Sequence, residues 1–354
     1  MDEAHRDLFE DLLTTPAPSG HEATLQRRWL DAVEPHADET RVDAYGNAVA
    51  IAEGNPETDA TVAVTGHADE IGFAVRDVTD DGFLELASLG AADQTVSRGQ
   101  HVTVHTEGGP VPGVVGQTAI HLRDGESEVA PIAEQFVDIG AADGERAREL
   151  VSVGDPMTVV ANPRDLDGSL LAARNVDNRA GVWVAAAAFQ RAAAAGTSAT
   201  VVAISTVQEE VGLRGARMVG VDLDADAVLA VDVTHATDSP GIPEAALMGV
   251  ELGGGPVLHR GTTDHPNVVA AAREVAEDAD IDVQLAAAPV GTRTDADEFS
   301  AVAGGTPTLS LGVPNRYMHT PVETVDLDDL AATADLAGAF CARAEAFVPF
   351  GVEV

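Results

Sequence analysis

The stretch ATVVAISTVQEEVGLRGA, Ala199–Ala216, decides the fold. Its first nine residues, through Val207, are apolar, small or β-branched without alternation. That composition predicts a strand buried on both faces, as in a parallel sheet. Gln208 and two adjacent acids, Glu209 and Glu210, follow at once. A glycine-punctuated turn then leads into a short helix at Leu213–Val219. In open α/β sheets, sites form outside the carboxyl ends of strands, which is where this acid pair stands.

The same grammar recurs outward from this stretch. TVAVTG (Thr61–Gly66) and DAVLAVDV (Asp226–Val233) read as buried strands, and so does TPTLSLGV (Thr306–Val313). Helical patterns are expected at about Ala180–Ala194, Pro266–Ala279 and Asp326–Ala346, with a further strand at IDVQLAA. Residues 4–36 read as two helices, the second capped near Ser19, followed by a strand pair over Glu39–Gly54 that turns at Gly46. Strand–helix alternation predicts an α/β fold, a mixed central sheet with helices on both faces. Between Ile71 and about Ala161 the texture changes to short alternating runs broken by glycine and proline. This predicts an inserted small β-barrel-like or sandwich domain. The expected division is residues 1–70 and 163–354 for the α/β domain and 71–162 for the insertion.

The 354 residues carry 59 acids and 20 bases, a net charge of −39, and every one of the 20 bases is arginine. Such a surface repels itself strongly at low salt and is screened at high salt. The expectation is a protein of a salt-loaded cytoplasm, with no nucleic-acid or anionic-membrane partner, since both need cationic surface. Cys341 is the single cysteine, so neither an intramolecular disulfide nor a thiolate metal cluster is available. The charged amphipathic start is not a signal peptide, and AGVWVAAAAF (Ala180–Phe189) is too short to span a bilayer. A cytoplasmic protein is expected.

Chemistry-bearing side chains collect at the strand ends. His67 and Asp69 follow one strand, Glu209 and Glu210 another, and Asp232 closes a third. His319 lies in the loop after a fourth, and Asp177 precedes a helix. Taken singly, each has an ordinary reading: a hydrogen-bonded loop histidine, a helix cap, a solvated acid pair. Asp232 is harder to set aside, because an acid closing an apolar strand is costly unless paired or bound to a cation. The ordinary readings would have to hold independently at five places. Two imidazoles and several carboxylates suit zinc or a similar divalent ion. With one bridging carboxylate they make two sites around an activated water. Neighbouring side chains at a strand end diverge, so Glu210 is expected to bind metal and Glu209 to move protons.

At these residues the chain resembles the tetrahedral metallo-aminopeptidases, the family of glutamyl and deblocking aminopeptidases. The matching stretches are GHADEIGF, NVDNRAG, QEEVGLRGA, AVDVTHATDSPG and RYMHTPVETV, with DGFLELASLG, GQHVTVHTEGGPVPGVVG and FVDIGA in the insertion. The resemblance covers nearly the whole chain. It implies that His67 and Asp232 serve one metal, Glu210 and His319 the other, and that Asp177 bridges. It gives Asp69 the task of orienting His67, and Glu209 that of general base and acid. It further implies two divalent ions per subunit, zinc or cobalt, with manganese a third option, and short peptide substrates. The assembly it implies is a tetrahedral dodecamer, with the insertion serving dimerisation. Where that family often reads E-L-G-K-G-P, this chain has ELGGGP, with Gly254 in place of the lysine. ELGGG lacks the G-K-[ST] ending of a phosphate loop. Arg293 and Asp295 receive no role, and His121 and His235 are read as structural.

Two other functions share this pattern. A dinuclear carboxypeptidase or amide deacylase has the same metal logic, but there the extra domain usually follows the glutamate pair rather than preceding it. A non-catalytic metal-binding scaffold would have no need of Glu209.

Overall fold

The computed structural model describes residues 1–123 and 129–352. Four parallel strands form the centre of an eleven-stranded mixed sheet, in the order Thr200–Thr206, Thr61–His67, Ala227–His235, Thr308–Arg316. Register sets the site. Thr206 lies opposite His67, and Asp232 opposite Gly312, so the polar ends line up along one rim.

Alternation along Thr61–His67 buries side chains on both faces. Val62 and Val64 join the larger core with Leu13, Trp29 and Trp183. Ala63 points to the other face, with Ile204, Ala216 and Phe299. The long helix Val176–Ala195 packs on the first face, together with Glu3–Thr14, Ala23–Val33 and Leu327–Arg343. Arg214–Gly220 and Asp295–Phe299 cover the second. Helices therefore lie on both faces of the sheet.

The long helix approaches the sheet at two glycines. A Cβ on Gly66 would lie 2.3 Å from the backbone of Gly181, and one on Gly181 would lie 2.4 Å from the Val231 carbonyl. Only hydrogen fits at either position, and this contact sets the start of the helix beside His67.

A closed six-stranded antiparallel barrel is built from Gly72–Val78, Phe83–Leu89, Phe136–Asp138, Gly109–Val115, His101–Thr106 and Pro156–Val159. It encloses its own core of Phe73, Leu84, Leu86, Val102, Val104, Val137 and Met157.

Several boundaries differ from expectation. The second helix starts at Ala23 without a side-chain cap; Ser19 instead donates to Asp69 at 2.7 Å. The strand expected to end at Val233 runs on to His235. The helix expected from Ala180 begins at Val176, but Asp177 and Asn178 hold non-helical backbone within it. Four strands carried no readable period: Arg164–Asp165, Leu170–Ala173, Val257–Gly261 and Glu323–Asp326. In ELGGG, the Gly253 and Gly255 amides donate to Asp329 at 2.7 and 2.8 Å, so they are not free for a phosphate.

Candidate dinuclear metal site

All seven predicted residues gather at the rim. Asp177 stands at the centre. Its Oδ1 lies 3.2 Å from His67 Nε2, and its Oδ2 lies 3.2 Å from His319 Nε2. Asp232 Oδ1 is 3.7 Å from His67 Nε2, and Glu210 Oε1 is 3.7 Å from His319 Nε2. Glu209 Oε2 stands 3.9 Å from His67 Nε2. Donor atoms of His67, Asp177 and Asp232 all lie within 4.8 Å of one another, and so do those of Asp177, Glu210 and His319. These are two three-ligand groups sharing one carboxylate. His67, Glu209 and Glu210 form a third such group. His121 sits in an exposed turn and His235 lines the cleft; among the described residues neither joins a ligand group.

Local structure explains each placement. Asp177 does not cap its helix. Asn178 takes that task, accepting the Gly181 amide at 2.7 Å, which leaves the Asp177 carboxylate free to face both imidazoles. Asp69 is fully buried and spends both oxygens on the site. It lies 3.3 Å from His67 Nδ1 and accepts the Glu209 and Glu210 amides at 2.9 and 3.2 Å. One carboxylate therefore turns the His67 ring, leaving Nε2 for the centre, and pins the backbone of the acid pair.

Two groups that the sequence reading passed over complete the support. Glu323 Oε2 accepts the Asp177 amide at 2.9 Å and Oε1 accepts the His319 amide at 2.8 Å. Glu323 lies within the quoted stretch RYMHTPVETV, four residues past His319; that proximity was its only signal. Arg179, wholly buried, donates to the Leu12 carbonyl at 3.0 Å, to the Thr15 carbonyl at 3.2 Å, to the Ala68 carbonyl, and to Glu70 at 3.0 Å. Glu70 also pairs with Arg174. This buried ion cluster ties the Asp177 segment to the His67 loop and the first helix. Asp295 is buried as well, accepting from the Thr206 hydroxyl.

The electrostatics are those of a cation receptor. Burial pushes the Glu209 carboxyl up to about 10 and Asp232 up to about 7, and drives Glu210 well above the carboxylate range. Burial opposes the charge on His67, but Glu209, Asp232, Asp177 and Asp69 outweigh it and hold the imidazolium well above its usual pKa. Asp177 is also penalised by burial, yet its contacts with His319 and His67 keep it below the ordinary value. Glu210 Oε1 is buried without a hydrogen-bond partner. Divalent cations would relieve this crowding of acids and engage the orphaned oxygen, so the donor set fits them.

A lysyl aminopeptidase of Pyrococcus furiosus is 31% identical over 339 residues, 94% of this chain and 95% of that one. An aminopeptidase structure from the archaeon Desulfurococcus kamchatkensis superposes with a TM-score of 0.92 at 30% identity, covering 99% and 98% of the two chains. The Pyrococcus horikoshii TET1 peptidase, which assembles into a tetrahedron or a large octahedral shell, gives 0.84 at 29% identity, covering 95% and 99%. With residues 46–336 matching the family model for M42 glutamyl aminopeptidases, the chain belongs to that aminopeptidase family.

Proposed function

We propose that this chain removes N-terminal residues from short peptides with a pair of divalent cations held at the rim. The observation that carries the reading is Asp177, with one oxygen toward each histidine. His67 and Asp232 would hold one ion, Glu210 and His319 the other, with Asp177 spanning both. When bound, such a pair lowers the pKa of water and polarises the scissile carbonyl. Glu209 takes the proton from the attacking water and delivers it to the leaving amine. Asp69 fixes the His67 ring. The peptide's free amine is attracted to the carboxylates of the same rim, which favours cleavage at the N-terminal end. Membership of the M42 family favours the aminopeptidase over a carboxypeptidase or deacylase. Zinc and cobalt suit the mixed imidazole and carboxylate set, and manganese is a third option.

The test is digestion of unlabelled five- to eight-residue peptides by the zinc- or cobalt-loaded protein, followed by mass spectrometry. Stepwise loss from the N-terminus is expected. Loss from the C-terminus, or no cleavage with two metals bound, would overturn the reading; the latter outcome would favour a scaffold.

The domain division at 71–162, the role of the barrel in dimerisation and the dodecameric cage belong to the same proposal. It is supported by the barrel's separate core and by the assemblies of the P. horikoshii relative. Light scattering is expected to give twelve copies. Among the described residues no helix is long and apolar enough to cross a membrane. A net charge of −39 supports adaptation to high salt; a Tm that does not rise with salt would contradict it.

A further inference from the structure

Two cavities meet at the centre. The larger, a cleft of about 540 Å³, holds His67, Glu209, Glu210 and Asp232. The smaller, of about 40 Å³, shares only Asp177 and His319 with it. Its remaining wall comes from two parts of the chain: Arg174 and Asn175 precede the long helix, while Ala92, Val96 and Val159 belong to the barrel segment. The barrel segment reaches the rim here. A Cβ on Gly90, just past the strand Phe83–Leu89, would lie 2.7 Å from Ile71 Cγ2 and 3.3 Å from Glu210 Cβ.

The charged groups in the wall of the smaller cavity are already engaged. Glu70 pairs with Arg174 and Arg179, Glu323 accepts the Asp177 and His319 amides, and Asp93 accepts the Thr95 amide at 2.7 Å. Ser97 donates to Gln135 at 2.6 Å, and the Thr320 hydroxyl donates to the Tyr317 carbonyl at 2.7 Å. Ile71, Phe73, Ala92, Val96, Val159 and Pro321 supply apolar surface between them. A charged side chain entering here would lose water without gaining a free partner. An apolar one gains by burial. Size decides which apolar one. A single water fills about 10–15 Å³ of such space, so the cavity takes the branched end of a valine and not an aromatic ring.

The cleaved bond lies at the centre, so the residues on its two sides extend from it in different directions. The first residue keeps its amine among Asp177, Glu209, Glu210 and Asp232, all of which line the larger cleft. The residue after the bond then faces the smaller cavity. We infer that this cavity receives the second side chain of the peptide and selects a small apolar one, alanine or valine, over glycine and over charged or aromatic residues. The inference rests on the aminopeptidase reading and deepens it: the barrel, besides the part in assembly proposed above, reads the substrate through Ala92, Val96 and Val159.

The test is kcat/KM of the zinc-loaded full-length protein for release of the first residue. That residue is fixed as whichever of alanine, leucine, glutamate and lysine leaves fastest from its simple amide, which has no second side chain. Tripeptides ending in glycine then carry glycine, alanine, valine, phenylalanine, aspartate or lysine second. Alanine and valine are expected to exceed glycine about tenfold, with phenylalanine, aspartate and lysine lowest. Ala92→Phe fills the cavity and is expected to lower the ratio of the valine tripeptide to the simple amide about tenfold. Val96→Ala widens it and is expected to raise phenylalanine relative to alanine. A parent enzyme indifferent to the second residue, or variants that leave these ratios in place, would overturn the inference while the aminopeptidase reading stands. Variants that reorder the four simple amides instead would assign the cavity to the first residue and overturn it equally. Cleavage of no amide and no tripeptide with two metals bound would overturn the aminopeptidase reading and this inference with it.

Discussion

The Glu323 carboxylate receives the Asp177 amide at 2.9 Å, joining a strand at one end of the rim to the residue at its centre. Its other oxygen holds the amide of His319, which sits at φ 63°. One buried side chain thus sets the backbone of two proposed ligands. Glu323→Gln replaces one acceptor with an NH₂ group facing a backbone N–H. The expected result is a fall of about 10–100-fold in affinity for one of two ions. Isothermal titration with zinc checks this, and excess metal is expected to restore part of the activity. Two unchanged binding steps would remove Glu323 from the account.

Glu209→Gln keeps size and hydrogen-bonding capacity but cannot accept a proton. Turnover is expected to fall about 10²–10⁴-fold, with metal content and KM little changed. A variant at near-parental kcat would show that another group carries the proton.

Cation binding must displace protons. Without metal, His67 remains protonated above its usual range, and Glu209, Glu210 and Asp232 are all held high. The bound state needs a neutral imidazole and ionised carboxylates, so protons are released and affinity weakens as pH falls through neutrality. Titration with zinc at pH 7 in buffers of different ionisation enthalpy is expected to report net release, and affinity is expected to rise from pH 6 to 8. No dependence on the buffer would contradict these assignments.

Arg179 is a buried cation paired with a buried acid. Arg179→Met leaves Glu70 with Arg174 as its one ion-pair partner beside the Ala17 amide, and empties three carbonyl contacts. Stability is expected to drop by about 3–5 kcal/mol, read from denaturant unfolding of the apo protein. A loss below about 1 kcal/mol would mean the cluster does not anchor the rim.

The central strands were legible because Val62, Val64, Val201 and Val231 sit in uninterrupted apolar runs, and a buried parallel strand leaves little room for anything else. The barrel was legible from its alternating, glycine-broken texture. Short pieces were not: Arg164–Asp165 is a two-residue strand, and Glu323–Asp326 is a polar one buried by distant partners. The candidate residues were readable because four stretches place an acid or imidazole at or just after the end of a strand, and a fifth places Asp177 at the start of a helix. The supports were hidden, since their partners are far apart in sequence. Ser19 binds Asp69 across 50 residues, and Glu323 binds Asp177 across 146. The expected start of the long helix, about Ala180, falls just past Asp177 and Asn178, whose non-helical backbone interrupts the first turn and which no spacing rule foresees.

The most direct test is a crystal of the zinc-loaded protein measured on both sides of the zinc absorption edge. Two anomalous peaks about 3.5–4 Å apart are expected, one beside His67 and Asp232, the other beside Glu210 and His319, with an Asp177 oxygen on each. A single peak, or peaks that Asp177 does not join, would contradict the account.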